Sequence, residues 1–255
     1  MIKWTIFLST IFLLLGHNSS GQVDTSKIKI LSKEYNKYIT AGETDLDDSN
    51  NSDTLNIYQE IFEYSYPYIQ TADKYLNEFI NDTIRKIVGD NNSSPKIKWG
   101  WKDISDKPAE NYMNYKTHFI SPYFISITIH IDSYSGGGGN GSSHSIIALT
   151  FDLVNKKVLT TTDIFKKQSY PTAYKIFKQQ FDSLAKSEFL SQDKFNRPDS
   201  LLWVQNAPFA LFADKIILYT AVSYGHGYYD GEIIYEFEKL SGIFAKNFLT
   251  TVKEK

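Results

Sequence analysis

The chain has 255 residues, with 27 basic against 29 acidic side chains and no cysteine. A near-neutral balance without a long Lys/Arg run gives no electrostatic footprint for nucleic acid. The lack of cysteine excludes disulfides, a thiol nucleophile and a lipid-modified N-terminal Cys, and a chain of this length can bury a core without such staples.

Residues 1–21 come first, and Lys3 precedes a mostly apolar run over 4–15. A small-residue end places Ser19 and Gly21 in the −3 and −1 positions before Gln22. That layout predicts a secretory signal peptide over 1–21. The apolar run falls short of the roughly 20 residues that a spanning helix needs. A retained N-terminal anchor is the competing reading. Export without disulfides suits a bacterial envelope, so the protein is expected to be secreted or periplasmic.

Residues 22–54 are expected to be an N-terminal extension and acidic linker, with a short helix or an edge strand in 23–40. Residues 41–54 carry five acids and no base, which predicts a solvated loop. Within it, Asp45, Asp47 and Ser49 have the spacing that starts a calcium loop. Asn50 and Asn56 stand where the required Gly and Glu would be, so calcium is not expected.

From residue 55 the pattern becomes structural, and 55–120 reads as a smaller strand–helix segment. Residues 55–69 alternate loosely, as a strand does, with Pro67 ending it or marking an edge. Thr71 is placed to cap a helix whose apolar residues include Leu76, Ile80, Ile84 and Val88, and Gly89 stops it. Strands are predicted at 97–102 and 111–120.

Residues 121–255 form the C-terminal domain of this reading. Ile125, Ile127, Ile129 and Ile131 fall on one face of a strand; Ser126, Thr128, His130 and Asp132 fall on the other. A glycine-saturated loop follows, then a strand over 145–153, a Lys-bearing turn and a short strand at 158–161. Pro171 opens a helix with Tyr174, Phe177, Phe181 and Leu184 on one stripe. Residues 208–212 and 216–222 predict a hairpin around Ala213-Asp214. A second aromatic and glycine-rich loop leads into a strand at 233–237. One final helix is expected to carry Phe237, Leu240, Phe244 and Phe248. The predicted fold class is α+β, a mainly antiparallel sheet with two or three helices packed on one face.

The 18 Tyr, 17 Phe and 4 Trp mostly belong in a core, but tyrosines in loops also build recognition surfaces. The two glycine loops share aromatic, Gly and His residues. From them Tyr134, Gly136, Gly137, Asn140, His144, Tyr224, His226 and Tyr228 are the candidate ligand-binding residues. Turn chemistry with incidental aromatics is the plainer alternative. No His-Glu-x-x-His, Gly-x-Ser-x-Gly or phosphate loop is present, so no cofactor or metal is expected. His130, Asp132, His144 and His226 would form an acid/base or metal cluster if their strands converge. Otherwise His130 and Asp132 are solvent-facing polar positions on the sheet's outer face.

Ser133-Tyr-Ser-Gly-Gly137, Thr150-Phe-Asp-Leu153 and Thr160-Thr-Thr-Asp-Ile-Phe165 carry a resemblance. The stretch resembles the RsiV-like extracytoplasmic domain, domain of unknown function family 3298, known best from a lysozyme-sensing anti-sigma factor. Residues 209–240 look like that family's closing hairpin. Residues 55–88 resemble a segment that precedes some polysaccharide deacetylases. The family loop usually runs Gly-Gly-Ala-His-Gly; here it is longer and His144 is displaced. With no sigma-binding region or spanning helix, the resemblance does not imply anti-sigma function. It implies an extracytoplasmic α+β domain with a protein partner such as a lysozyme, or a peptidoglycan or other glycan ligand. The reading is therefore a non-catalytic binding module of the cell envelope. The alternatives are an envelope hydrolase using the His/Asp cluster and a structural envelope protein without a ligand.

Overall fold

The computed structural model describes residues 22–44, 55–88, 109–134, 142–187, 204–224 and 227–254. Six strands form one sheet in sequential order: β1 (Lys29–Thr44), β2 (Leu55–Gln70), β3 (Ala109–Ile120), β4 (Phe124–Tyr134), β5 (Ser142–Asp152) and β6 (Lys157–Val158). All neighbours are antiparallel except β2 and β3, which run parallel from Glu60↔Ala109 to Tyr64↔Met113. Helix α1 (Lys74–Val88) lies between these two in the chain, because parallel neighbours need a crossover. The sheet runs across residue 120 without a break, since β3 pairs with β4. The expected α+β class with a mainly antiparallel sheet is what the chain adopts.

Two expectations for the N-terminal part need correction. Residues 41–44 are not loop: they continue β1 and pair with 55–58 of β2. Backbone pairing with an adjacent strand outweighs a polar composition there. The cap of α1 is Asp73 rather than Thr71, its Oδ1 accepting from the Tyr75 and Leu76 amides at 2.8 and 3.1 Å. Lys156, at a left-handed φ of 51°, reaches across to Asp73 at 2.9 Å. That hydrogen bond, with the two amides and against partial burial, holds the Asp73 carboxyl below its usual range. A carboxylate at a helix N-terminus is further favoured by the helix dipole.

Helix α1 buries Leu76, Ile80, Ile84 and Val88 in one apolar cluster with Ile125, Ile127 and Ile129 of β4 and Leu149 and Phe151 of β5. The four side chains recur at helical spacing, so they form one stripe along the helix. The predicted isoleucine face of β4 is therefore the face under α1.

The other face of β4 is not a solvent face along its first half. A second, three-stranded sheet covers it: β7 (Ala210–Leu211), β8 (Lys215–Tyr224) and β9 (Gly227–Glu236). Ser126, Thr128 and Thr150 are buried there, and Ala148, Ala210 and Ile217 are buried outside both large apolar clusters. Small residues let the two sheets approach closely. The hydroxyls serve the backbone of the second sheet: Leu211 N donates to Ser126 Oγ at 2.7 Å, and Thr150 Oγ1 donates to Phe209 O at 2.8 Å. Phe212 then reaches His118 of β3, with ring centroids 4.6 Å apart. Residues 209–212 thus step over β5, β4 and β3 in turn, crossing the strands beneath.

The far side of the small sheet carries the second apolar cluster. It joins Leu211, Ile216, Leu218, Ile233 and Tyr235 to helices α2 (Thr161–Ile164), α3 (Tyr170–Ser187), α4 (Phe237–Leu240) and α5 (Lys246–Lys253). The expected single final helix is in fact α4 and α5. Between them Phe244 forms an antiparallel bridge with Phe165, and Ala245 N donates to Ile164 O at 2.8 Å. This backbone pairing breaks the helix, yet Phe237, Phe244 and Phe248 still pack together, with centroids 5.1 to 6.1 Å apart. The Thr160-x-x-Asp163 motif also has a packing role. Thr160 N donates to Asp163 Oδ2 at 2.8 Å, and the Thr161 and Thr162 hydroxyls donate to the carbonyls of Val204 and Gln205.

Residues 1–21, the Asp45–Ser49 stretch, the strand expected at 97–102, Gly136, Gly137, Asn140 and His226 lie outside the described residues. Among the described residues no helix is long and apolar enough to cross a membrane.

Candidate functional site

The second sheet covers only half of β4. Residues from Phe124 to Ile129 are buried, whereas those from His130 to Tyr134 are half-buried. Beyond that line the described residues leave the face partly exposed, and the strand register decides which side chains share it. Partners across a ladder project to the same side. Glu63 of β2 stands opposite Tyr112 of β3, Tyr112 opposite Asp132 of β4, and Asp132 opposite His144 of β5. Four strands at about 4.8 Å spacing make this a row roughly 14 Å long. The next row toward the strand ends holds Ile61, Glu110 and Tyr134. The row before it holds Asn114, His130 and Ile146.

Several contacts organise this surface. His144 Nδ1 and Asp132 Oδ1 form a hydrogen-bonded pair, with the two side chains 36% and 45% exposed. The Tyr112 hydroxyl donates to Glu110 Oε2 at 3.0 Å, and the Tyr112 residue is 37% exposed. His130 and His144 have ring centroids 6.2 Å apart. Thr128 Oγ1 lies 2.8 Å from His118 Nε2 and 3.0 Å from His130 Nε2. A hydroxyl has one proton to give, so when it bonds both rings one Nε2 accepts and the other donates.

His118 enters this chain through a β-bulge. The β3–β4 register shifts between Thr117 and Phe119. The extra residue lets His118 and Phe119 both face the second sheet. Burial lowers the His118 pKa from 6.5 to about 4, with Lys116 and His130 adding to the effect. His118 is therefore neutral near pH 7 and is joined to His130 through the buried Thr128 hydroxyl.

Of the residues singled out in the sequence, Tyr134 ends β4 on the open face and His144 pairs with Asp132. His130, Asp132 and His144 do converge as a group on one face. Among the described residues no group of three His, Cys, Asp or Glu is placed to hold a metal ion. Tyr224 pairs with Gly227 and Tyr228 with Ser223 at the tip of β8 and β9, where the backbone alone is described. Glu63 and Tyr112 were missed by sequence reasoning. They join the row only through the parallel β2–β3 register, for which no local sequence signal exists.

No protein-family model matches the chain, and no curated protein matches it. Solved structures do. A member of the domain of unknown function family 3298 from Bacteroides fragilis aligns with a TM-score of 0.52 and 14% identity, over 89% of this chain and 100% of the other. A protein of the same family from Pseudomonas aeruginosa aligns with a TM-score of 0.48 and 12% identity, over 84% of this chain and 96% of its own. The alignment with the Bacteroides protein spans nearly the whole chain, in agreement with the resemblance carried by residues 133–165. It is a likeness of fold, and it does not bear on the resemblance of residues 55–88 to a deacetylase-associated segment. The chain has the fold of the domain of unknown function family 3298.

Proposed function

We propose that the chain is an exported, non-catalytic binding module of the bacterial cell envelope. Its ligand is a lysozyme-like protein or a peptidoglycan-type glycan. The observation that carries this reading is the open half of the large sheet. The row Glu63–Tyr112–Asp132–His144 and the neighbouring Tyr134 present aromatic and hydrogen-bonding side chains beside the point where the glycine loop leaves β4. Rigid strands supporting an adaptable loop are a common way to position recognition residues. The leader-like residues 1–21 support export. The loop residues Gly136, Gly137, Asn140, Tyr224, His226 and Tyr228 belong to the proposed ligand surface together with Tyr134 and His144.

The test uses the chain from Gln22 onward in two assays, inhibition of lysozyme-driven cell-wall lysis and co-sedimentation with insoluble peptidoglycan. Dose-dependent inhibition without co-sedimentation identifies capture of the enzyme, and co-sedimentation identifies the glycan. Tyr112→Ala and Tyr134→Ala are expected to weaken either signal about tenfold, the scale of a lost aromatic anchor. A negative result in both assays overturns the proposal. The Asp132–His144 pair favours a second reading as a hydrolase, with Asp132 orienting His144 as a general base. Release of soluble wall fragments that His144→Ala abolishes would establish it.

A further inference from the structure

We propose that the cleft between α3 and the outer edge of β9 is a peptide-docking slot, which takes an extended segment of a partner protein as an added strand. The slot belongs to the small sheet and is independent of the open face described above.

The register places Ile234 opposite Ile217. Both main-chain groups of Ile234 turn away from that partner, however, and bond the Gln180 side chain of α3. Ile234 N donates to Gln180 Oε1 at 2.8 Å, and Gln180 Nε2 donates to Ile234 O at 2.7 Å. A strand residue whose N–H and C=O both point outward belongs to a non-hydrogen-bonded pair, and such pairs recur every second residue. Glu232, opposite Tyr219, therefore also directs its N–H and C=O outward on the same side. Glu232 is exposed, and it lines a cleft of about 470 Å³ with Gln179, Gln180, Ser183 and Leu184.

The Gln180 amide is chemically a peptide group, and the fold already seats it on this edge in strand-like register. A peptide continuing from Gln180 along β9 would bond Glu232 as Gln180 bonds Ile234, which is the geometry of β-strand addition. The lining also states the chemistry of the occupant. Among the described residues no Lys or Arg lines the cleft, and the Glu232 carboxylate favours a basic side chain beside it. Leu184 offers an apolar patch on the helix side. The fitting segment is extended, with a basic residue opposite Glu232 and an aliphatic one against Leu184.

The test follows backbone amide exchange in the isotope-labelled full chain, with the synthetic peptide acetyl-Val-Thr-Val-Lys-Val-Thr-Val-amide as probe at up to about 1 mM, the range of a weak single-strand contact. In the free chain the Glu232 amide is expected to exchange at least about tenfold faster than that of Ile234, because only the latter is bonded. Saturating peptide is expected to slow Glu232 by about tenfold. Glu232→Pro removes the one donor at an edge position that tolerates proline, and it should abolish binding. Ser183→Arg, on the exposed side of α3, should block the slot independently if the proline variant fails to fold. The proposal is overturned if Glu232 is already as protected as Ile234 in the free chain. It is equally overturned if the peptide does not bind, or if it binds Ser183→Arg as well as the parent chain. None of these results bears on lysozyme inhibition or peptidoglycan co-sedimentation.

Discussion

The edges of β2 and β9 meet the same problem with the same device and reach different ends. Past Tyr64, β2 has no further pairing with β3, yet the strand runs on to Gln70. Helix α1 completes that edge with two amides one turn apart. Asn81 accepts from Ile69 N at 2.9 Å and donates to Ile69 O at 2.7 Å. Asn77 does the same for Thr71, at 2.6 and 3.1 Å. Asn81 is 6% exposed, so its amide stands in for a missing strand inside the core. On β9, Gln180 serves Ile234 alone, and the next outward-facing residue, Glu232, meets solvent. A buried edge must have every main-chain group bonded, because water cannot reach it. An exposed edge is free to leave one position for a ligand.

That contrast predicts unequal costs. Asn81→Ala leaves the buried Ile69 N–H and C=O without partners and should lower unfolding free energy by about 3 kcal/mol. Gln180→Ala should cost about 1 kcal/mol, since water can replace the amide at a half-buried edge. Denaturant titration of both variants measures the difference, and equal losses would break the comparison. Exchange at the Ile234 amide should accelerate in Gln180→Ala. A third effect concerns acid. His118 is depressed from 6.5 to about 4 in the folded state. Its stabilising contribution is therefore complete above about pH 6.5 and lost as pH falls toward 4. His118→Gln should flatten that part of the stability–pH curve. An unchanged slope would show that the ring is not held neutral by the second sheet.

The two halves of β4 sharpen the same point. Its alternation of isoleucine with Ser, Thr, His and Asp continues through both halves, so the pattern alone assigns all four polar residues to one outward face. The second sheet then divides them. Ser126 and Thr128 lie under β7, while His130 and Asp132 remain at its border. A hydroxyl is small and uncharged and is readily buried against a backbone group, as Ser126 is against Leu211 N. Charged or titratable groups are costly to bury and stay at the rim.

Local pattern was enough to read the faces of β4, the apolar stripes of α1 and α3, the hairpin of β7 and β8, and the α+β class. Each of these rests on periodicity within one segment, which the backbone geometry of that segment translates directly. Tertiary structure decided the remainder. The parallel β2–β3 register brought Glu63 and Tyr112 beside Asp132 and His144. The bridge between Phe165 and Phe244 split a helix that the phenylalanine spacing had drawn as one. The stacking of the small sheet on the large one buried Ser126 and Thr128 on the polar face of β4. Gln180 and Asn81 took on strand-like roles that no local rule assigns to helical amides. These outcomes depend on which distant backbone groups remain unpaired after the chain has packed. Residues far apart in sequence settle that jointly, through contacts that periodicity within one segment cannot encode.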